Sequence, residues 1–395
     1  MARSRTLVLV LAGGAGGRLG LLTRDRAKPA VPFAGSHRLI DFPLSNARNS
    51  GVDDVWVAQQ HDPASLTHHL SNGRPWDLDR TGGGLRIIQP ALGEDVRSGF
   101  HQGTADALWR TGPLIRQADP EVLVVVSSDA VYALDYEELA ADHAASGAAV
   151  TIVTTRVDPD DAGRYGVVQA EDGRVLDYAY KPEDPQGDLV ANEVFAFSPT
   201  RVLDEMDRIA EERDPDDGLD DLGDDLLPRL VADGLARERR LESYWRDVGT
   251  VESYWQAHQD LLADPPPIDL DDPAWPIASR GDGARLPARL GPSAHVVRSM
   301  VGAGAVVDGR VTGSVLGPRS RVDDGAEVVD SVLLPGVHVR SGARVVRSVL
   351  DDGVVVGRDA RVGGPEAVTL VGGAAELAAG STVAAGEQHP PEDED

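Results

Sequence analysis

Short apolar runs alternate with polar, helically spaced segments from Leu7 to about Leu262, a rhythm that predicts an α/β domain on a mostly parallel sheet. Leu7 to Ala12, Val55-Trp56-Val57-Ala58, Val122 to Val126 and Val150-Thr151-Ile152-Val153 read as core strands. Tyr136 to Ala145 and Thr200 to Ile209 carry helical spacing. The pattern breaks at Asp264-Pro265-Pro266-Pro267 and stays broken through Pro276, because proline removes a backbone donor and stiffens the chain. This divides the chain into a first domain over 1–262 and a linker over 263–283.

Beyond the linker the sequence repeats. Ser314-Val315-Leu316, Ser331-Val332-Leu333 and Ser348-Val349-Leu350 recur at intervals of 17, each followed by a turn glycine and further valines. Such a repeat predicts stacked coils, each burying its valines only against its neighbours: a parallel β-helix over 284–384. A β-sandwich would want longer strands with aromatics, and no Phe, Tyr or Trp follows Trp275. The last residues, 385–395, are acidic and proline-containing and are expected to form a disordered tail.

Composition narrows the function. The 395 residues include 38 basic and 65 acidic ones, a net charge of -27, which repels nucleic acid and anionic membranes. A cytoplasmic location is the expectation, and an anionic substrate then needs a local basic site. With no cysteine, thiolate nucleophiles, disulfides and Cys-ligated zinc are excluded. The apolar run after Arg5 is too short for a secretory signal and reads as the first strand. No stretch approaches the ~18 apolar residues of a membrane span.

The first strand runs straight into Gly13-Gly14-Ala15-Gly16-Gly17-Arg18, with Lys28-Pro29 ten residues on. Glycines after a buried strand let the backbone approach a ligand, and Arg18 and Lys28 supply charge for a polyphosphate. The turn is not a dinucleotide fingerprint, since Leu19 stands where the third glycine belongs, and no GxxxxGK[ST] occurs. Gly103-Thr104-Ala105-Asp106 reads as a helix start with Thr104 as N-cap. Asp129 ends a central strand, where open α/β sheets bind ligands, and is a candidate metal ligand. Tyr180-Lys181-Pro182 offers a lone lysine suited to a phosphate monoester, and Asp247 in Tyr244-Trp245-Arg246-Asp247 a second carboxylate. Two carboxylates holding one Mg2+ that bridges substrate phosphates is ordinary hard-cation chemistry.

Taken together, the strings Leu11-Ala12-Gly13-Gly14, Arg26-Ala27-Lys28-Pro29-Ala30-Val31, Ile40 to Asn46, Gly103 to Ala107, Tyr244 to Thr250 and Trp275-Pro276-Ile277 resemble the bacterial ADP-glucose pyrophosphorylase family over almost the whole chain. The resemblance implies a Rossmann-like nucleotidyltransferase domain followed by a left-handed β-helix that packs subunits into a homotetramer. It also implies in-line attack of glucose 1-phosphate on the α-phosphorus of ATP. By that resemblance Arg18 and Lys28 hold the ATP phosphates, Asp129 and Asp247 hold Mg2+, and Lys181 binds the sugar phosphate. Leu11, Ala12, Gly13, Gly14, Gln89, Gly103 and Thr104 line the nucleotide; Gly166, Tyr180, Glu193 and Asp221 face the sugar.

Departures from the family cluster at the sugar. Tyr180 stands for a glutamate, Ala191-Asn192-Glu193 for Ser-Met-Gly, Ser128-Asp129-Ala130 for Gly-Asp-His, and His101 for an aromatic residue. Phosphate and metal residues persist while the sugar pocket is rewritten. Two alternatives follow: a transferase for a different sugar 1-phosphate, or a weakly active regulatory paralogue in a hetero-oligomer. The family's basic effector residues near Arg26 and in the glycine-rich turn are replaced by Asp25 and Ala15, so fructose 1,6-bisphosphate is expected to activate poorly. The seven aspartates between Asp214 and Asp225 lack EF-hand order and read as a solvated loop. No GxSxG or HExxH occurs, and an acyltransferase reading of the repeat rests only on His295 and His338.

Overall fold

The computed structural model describes residues 5–14, 16–60, 62–90, 101–213, 218–281 and 286–391. A nine-stranded mixed sheet forms the first domain, in the order Gly84–Ile88, Asp54–Gln59, Thr6–Ala12, Val122–Ser127, Leu189–Phe197, Val150–Arg156, Ala236–Arg240, Arg174–Tyr180, Gly166–Glu171. The first strand is parallel to both neighbours and buried at all seven positions, which is why it reads as a continuous apolar run. Its residues alternate between two cores. Leu7, Leu9 and Leu11 pack with the helices Thr104–Ala118 and Pro199–Glu211; Val8 and Val10 pack with Asp41–Ser50 and Tyr136–Ser146.

Helix Tyr136–Ser146 starts as its sequence dictates, with the Asp135 carboxylate accepting from the Glu138 N–H. Helix Thr104–Ala118 does not: Gly103 is its N-cap and Thr104 its first helical residue. The expected cap is therefore corrected, because the Thr104 hydroxyl is drawn to Asp221, 3.0 Å away.

The second domain is the expected β-helix, three six-stranded parallel sheets closing one triangular solenoid. Val315, Val332, Val349 and Leu370 stack in register, and the serine that precedes each repeat has its own task. The Ser331 and Ser348 N–H groups donate to the hydroxyls of Ser314 and Ser331, at 3.0 and 3.1 Å, forming a buried ladder up one corner. The expected tail is corrected in part: Gln388–His389 pairs with Leu370 and Val371 as the last strand, while residues 392–395 lie outside those described.

The linker is docked, not free. The Trp275 indole N–H donates to Asn46 Oδ1 at 2.9 Å and Asn49 donates to the Pro276 carbonyl at 3.0 Å. Leu19, Leu21, Leu22, Phe33 and Tyr254 share one apolar cluster with Val332, Leu334, Val349 and Leu370, which fixes the glycine-rich turn's flank against the β-helix. Arg26 completes the contact through Asp351 at 2.9 Å and Asp352 at 3.5 Å.

Candidate active site

At the carboxyl ends of Thr6–Ala12 and Val122–Ser127 the sheet opens into a cavity of about 380 Å³. Leu11, Gly13, Gly14, Lys28, Gly103, Thr104 and Asp129 line one part; Gly166, Tyr180, Lys181, Glu193 and Asp221 line the rest. Ala12 is buried in the strand beside this lining, and Arg18 is exposed outside it. Gln89 is also placed outside, exposed just after the edge strand Gly84–Ile88, so the structure does not bring it to the cavity. Tyr178, Gln60 and Gly223 line the cavity without having been read from the sequence. Only the strand alternation that puts Tyr178 on the same face as Tyr180 hinted at any of them.

The Lys28 ammonium is buried and lies 2.5 Å from Asp129 Oδ2. Burial pulls the Lys28 pKa down, yet the Asp129 and Asp247 carboxylates outweigh it and raise it. Asp129 is held below the usual carboxylate range: burial pushes it up, but Lys28 and the Ser127 hydroxyl prevail. Asp247 reaches the same place from far along the chain. The strand Trp245–Asp247 pairs antiparallel with Ala130–Tyr132, putting Asp247 opposite Ala130, and the Val248 N–H donates to the Asp129 carbonyl at 2.9 Å. Burial, then the Asp129 charge, push Asp247 up to about 6. Arg164 approaches it to 4.0 Å.

A hard divalent cation fits these two residues. Both offer carboxylate oxygens, and Gly249 leaves open the space a Cβ would fill 2.8 Å from Asp247 Oδ2. Among the described residues no set of three or more metal-binding side chains occurs.

The part of the cavity around Lys181 is tied to the helix Thr104–Ala118 by a chain of hydrogen bonds. Lys181 Nζ donates to the Tyr180 hydroxyl at 2.5 Å, and that hydroxyl donates to Asp221 at 2.7 Å. Asp221 also accepts from the Thr104 N–H at 3.1 Å. Burial works to raise the Asp221 pKa, but these donors hold it below the ordinary value. The backbone must come close here. A Cβ on Gly103 would sit 2.0 Å from the Asp220 carbonyl, and one on Gly223 2.2 Å from the Tyr180 ring.

The raised Asp247 gives a pH prediction. Its native pKa of about 6 lies above the ordinary 3.8, so the native state keeps a proton that the unfolded chain has released. Its contribution to stability is therefore lost as pH rises from about 4 to 6. Denaturant titrations across that window should show a larger loss in the parent than in Asp247→Asn, where Glu193, raised to about 7, still contributes one. Cation binding needs the ionised form, so apparent metal affinity should fall as pH drops below about 6.

The sheet, the glycine-rich turn and the carboxylate pair define a nucleotidyl transferase carrying a hexapeptide β-helix. Residues 7–264 match the nucleotidyl transferase family model, and 286–368 match the GlmU-like C-terminal hexapeptide model. More narrowly, the chain belongs to the glucose-1-phosphate adenylyltransferase family. It is 43% identical over 306 residues to that enzyme of Thermomicrobium roseum, covering 77% of this chain and 70% of the relative. Identity is 39% over 328 residues to the enzyme of Thermotoga neapolitana, covering 82% and 76%. With the Fusobacterium nucleatum enzyme it is 33% over 332 residues, covering 84% and 85%. Substrates of this family are a nucleoside triphosphate and a sugar 1-phosphate, and a divalent metal is general among nucleotidyl transferases. Among the described residues no helix is long and apolar enough to cross a membrane.

Proposed function

We propose that this protein transfers the adenylyl group of ATP to glucose 1-phosphate with Mg2+, giving ADP-glucose and diphosphate for α-glucan (glycogen) synthesis. The observation that carries this reading is one cavity holding the Lys28–Asp129 pair at one part and Lys181 at another, with Asp247 beside Asp129. A phosphate oxygen of the sugar phosphate forms the new bond to the α-phosphorus as the bond to the bridging oxygen breaks. The electron pair leaves with diphosphate, so no protein nucleophile is needed.

Positioning and charge do the catalysis. Gly13 and Gly14 bring backbone to the triphosphate, Lys28 and Arg18 offset its charge, and Lys181 holds the acceptor phosphate. Leu11, Ala12, Gly103 and Thr104 are assigned to the nucleotide; the exposed Gln89 would have to move to join them. Gly166, Tyr180, Glu193 and Asp221 are assigned to the sugar. Asp129 and Asp247 would hold the metal, which neutralises phosphate charge and orients the reacting oxygens. Diphosphate release with ATP, Mg2+ and a panel of sugar 1-phosphates tests the reading; silence across the panel overturns it.

Assembly as a homotetramer and a cytoplasmic location belong to the same proposal. The exposed Leu286, Leu290 and Met300 on the first coils of the β-helix support an assembly contact there, which light scattering of the purified protein would check. Arg26 is committed to Asp351 and Asp352, and its neighbour Asp25 is acidic. Fructose 1,6-bisphosphate should therefore fall well short of the roughly fivefold effect at which allosteric coupling typically begins. Rates with and without it are the check.

A further inference from the structure

Two of the three charged side chains at the acceptor end of the cavity stand on left-handed backbone, Lys181 at φ 44° and Glu193 at φ 60°; the third, Asp221, does not. Residues with a Cβ are disfavoured there and glycine is not, so the local backbone gains nothing from a glutamate in place of glycine. Glu193 lies where the register of strand Leu189–Phe197 shifts between Ala191 and Phe195. Ala191, Glu193 and Phe195 all line the cavity wall, on the one face that the two-residue period of a strand presents.

Among the described residues Glu193 accepts no hydrogen bond and forms no ion pair. Every other charged group nearby is already engaged. Lys28 is paired with Asp129, Asp221 accepts from Tyr180 and Thr104, and Lys181 rests on the Tyr180 hydroxyl. Asp129 and Asp247 act on Glu193 through space as like charges, and Lys28 and Lys181 act against them. Glu193 is exposed at the cavity wall, and a ligand that displaces solvent from its carboxylate must supply a donor in return. A sugar hydroxyl donates a hydrogen bond to the carboxylate but brings no charge. An ammonium donates one and adds an opposite full charge, so it is the donor the carboxylate discriminates for.

Building on the adenylyl-transfer reading, we propose that Glu193 is a specificity residue that extends the acceptor range to an amino-substituted sugar 1-phosphate, with the ammonium on Glu193 and the phosphate on Lys181. The test compares kcat/KM for glucosamine 1-phosphate, N-acetylglucosamine 1-phosphate and glucose 1-phosphate in the parent, Glu193→Gln and Glu193→Gly. The amino-to-hydroxyl ratio should fall about tenfold in both variants. Acetylation of the amine, which removes its charge, should erase the advantage in the parent.

Binding is measured in parallel, by calorimetry of glucosamine 1-phosphate in the presence of a non-transferable ATP analogue. Turnover of glucose 1-phosphate with a ratio unmoved in Glu193→Gln overturns this inference and leaves adenylyl transfer standing. Binding of the amino sugar that is lost in Glu193→Gln, without turnover of any acceptor, supports the inference and overturns the reading beneath it. A changed Mg2+ requirement with an unmoved ratio would assign the carboxylate to the metal and also overturn the inference. Glu193→Gly should melt no lower than the parent; a lower melting point would show that the glutamate serves the fold.

Discussion

Asp247→Asn is expected to lower turnover at least about 100-fold, the scale on which removal of a single preorganised charge-stabilising group acts. The fold should survive. Asp247 is pushed up to about 6 by burial and by the Asp129 charge, so it is held at a cost that an amide does not carry. In the absence of metal the variant should melt at the same temperature or higher. Asp129→Asn makes the contrast. It also removes the carboxylate 2.5 Å from the buried Lys28 ammonium. Breaking a buried pair on one side costs about 3–5 kcal/mol, so this variant should lose stability together with activity. Diphosphate release against Mg2+ concentration, with a thermal melt of each metal-free variant, separates the two roles. Normal turnover by Asp247→Asn would remove it from the metal site.

Lys181→Gln should raise the KM for the sugar phosphate about 10- to 100-fold, the equivalent of one lost hydrogen bond to a charged group, with kcat changed far less. The Lys181 ammonium is held at the cavity wall, 4.3 Å from the centre of the Tyr180 ring and 2.5 Å from that hydroxyl. Tyr180→Phe removes the hydroxyl and leaves the ring. It should therefore produce a smaller rise of the same kind, because Lys181 keeps its charge and loses only its rest. Initial rates over a range of glucose 1-phosphate at saturating ATP read both effects. An equal fall in kcat and kcat/KM would instead place Lys181 at the transferring phosphorus.

Much of this was legible because it is local. The buried run Leu7 to Ala12, the glycines behind it and the 17-residue serine-valine repeat each express one physical requirement at one place in the chain. The string Asp41 to Asn46 was legible as a family mark but not for its purpose. The Asp41 carboxylate accepts from the buried His69 ring at 2.6 Å and Asn46 anchors Trp275, so the string supports the domain junction and does not line the cavity. Thr104 went astray because a cap preference is a local rule, and Asp221, 117 residues away, outcompeted it. Gln89 was carried over from the resemblance and stands outside the cavity because the edge strand ends before reaching it.

By itself, the sequence determined the two-domain order, the α/β and β-helix classes and the identity of the charged groups, because periodicity and residue chemistry are written position by position. Only the tertiary structure decided which charges meet. Asp247 joins Asp129 through antiparallel pairing of two short strands, the Lys28 ammonium meets a carboxylate 101 residues on, and Glu193 comes to the wall of the same cavity. Burial and distance set the strength of such interactions, and both are properties of the folded chain that no spacing along the sequence contains.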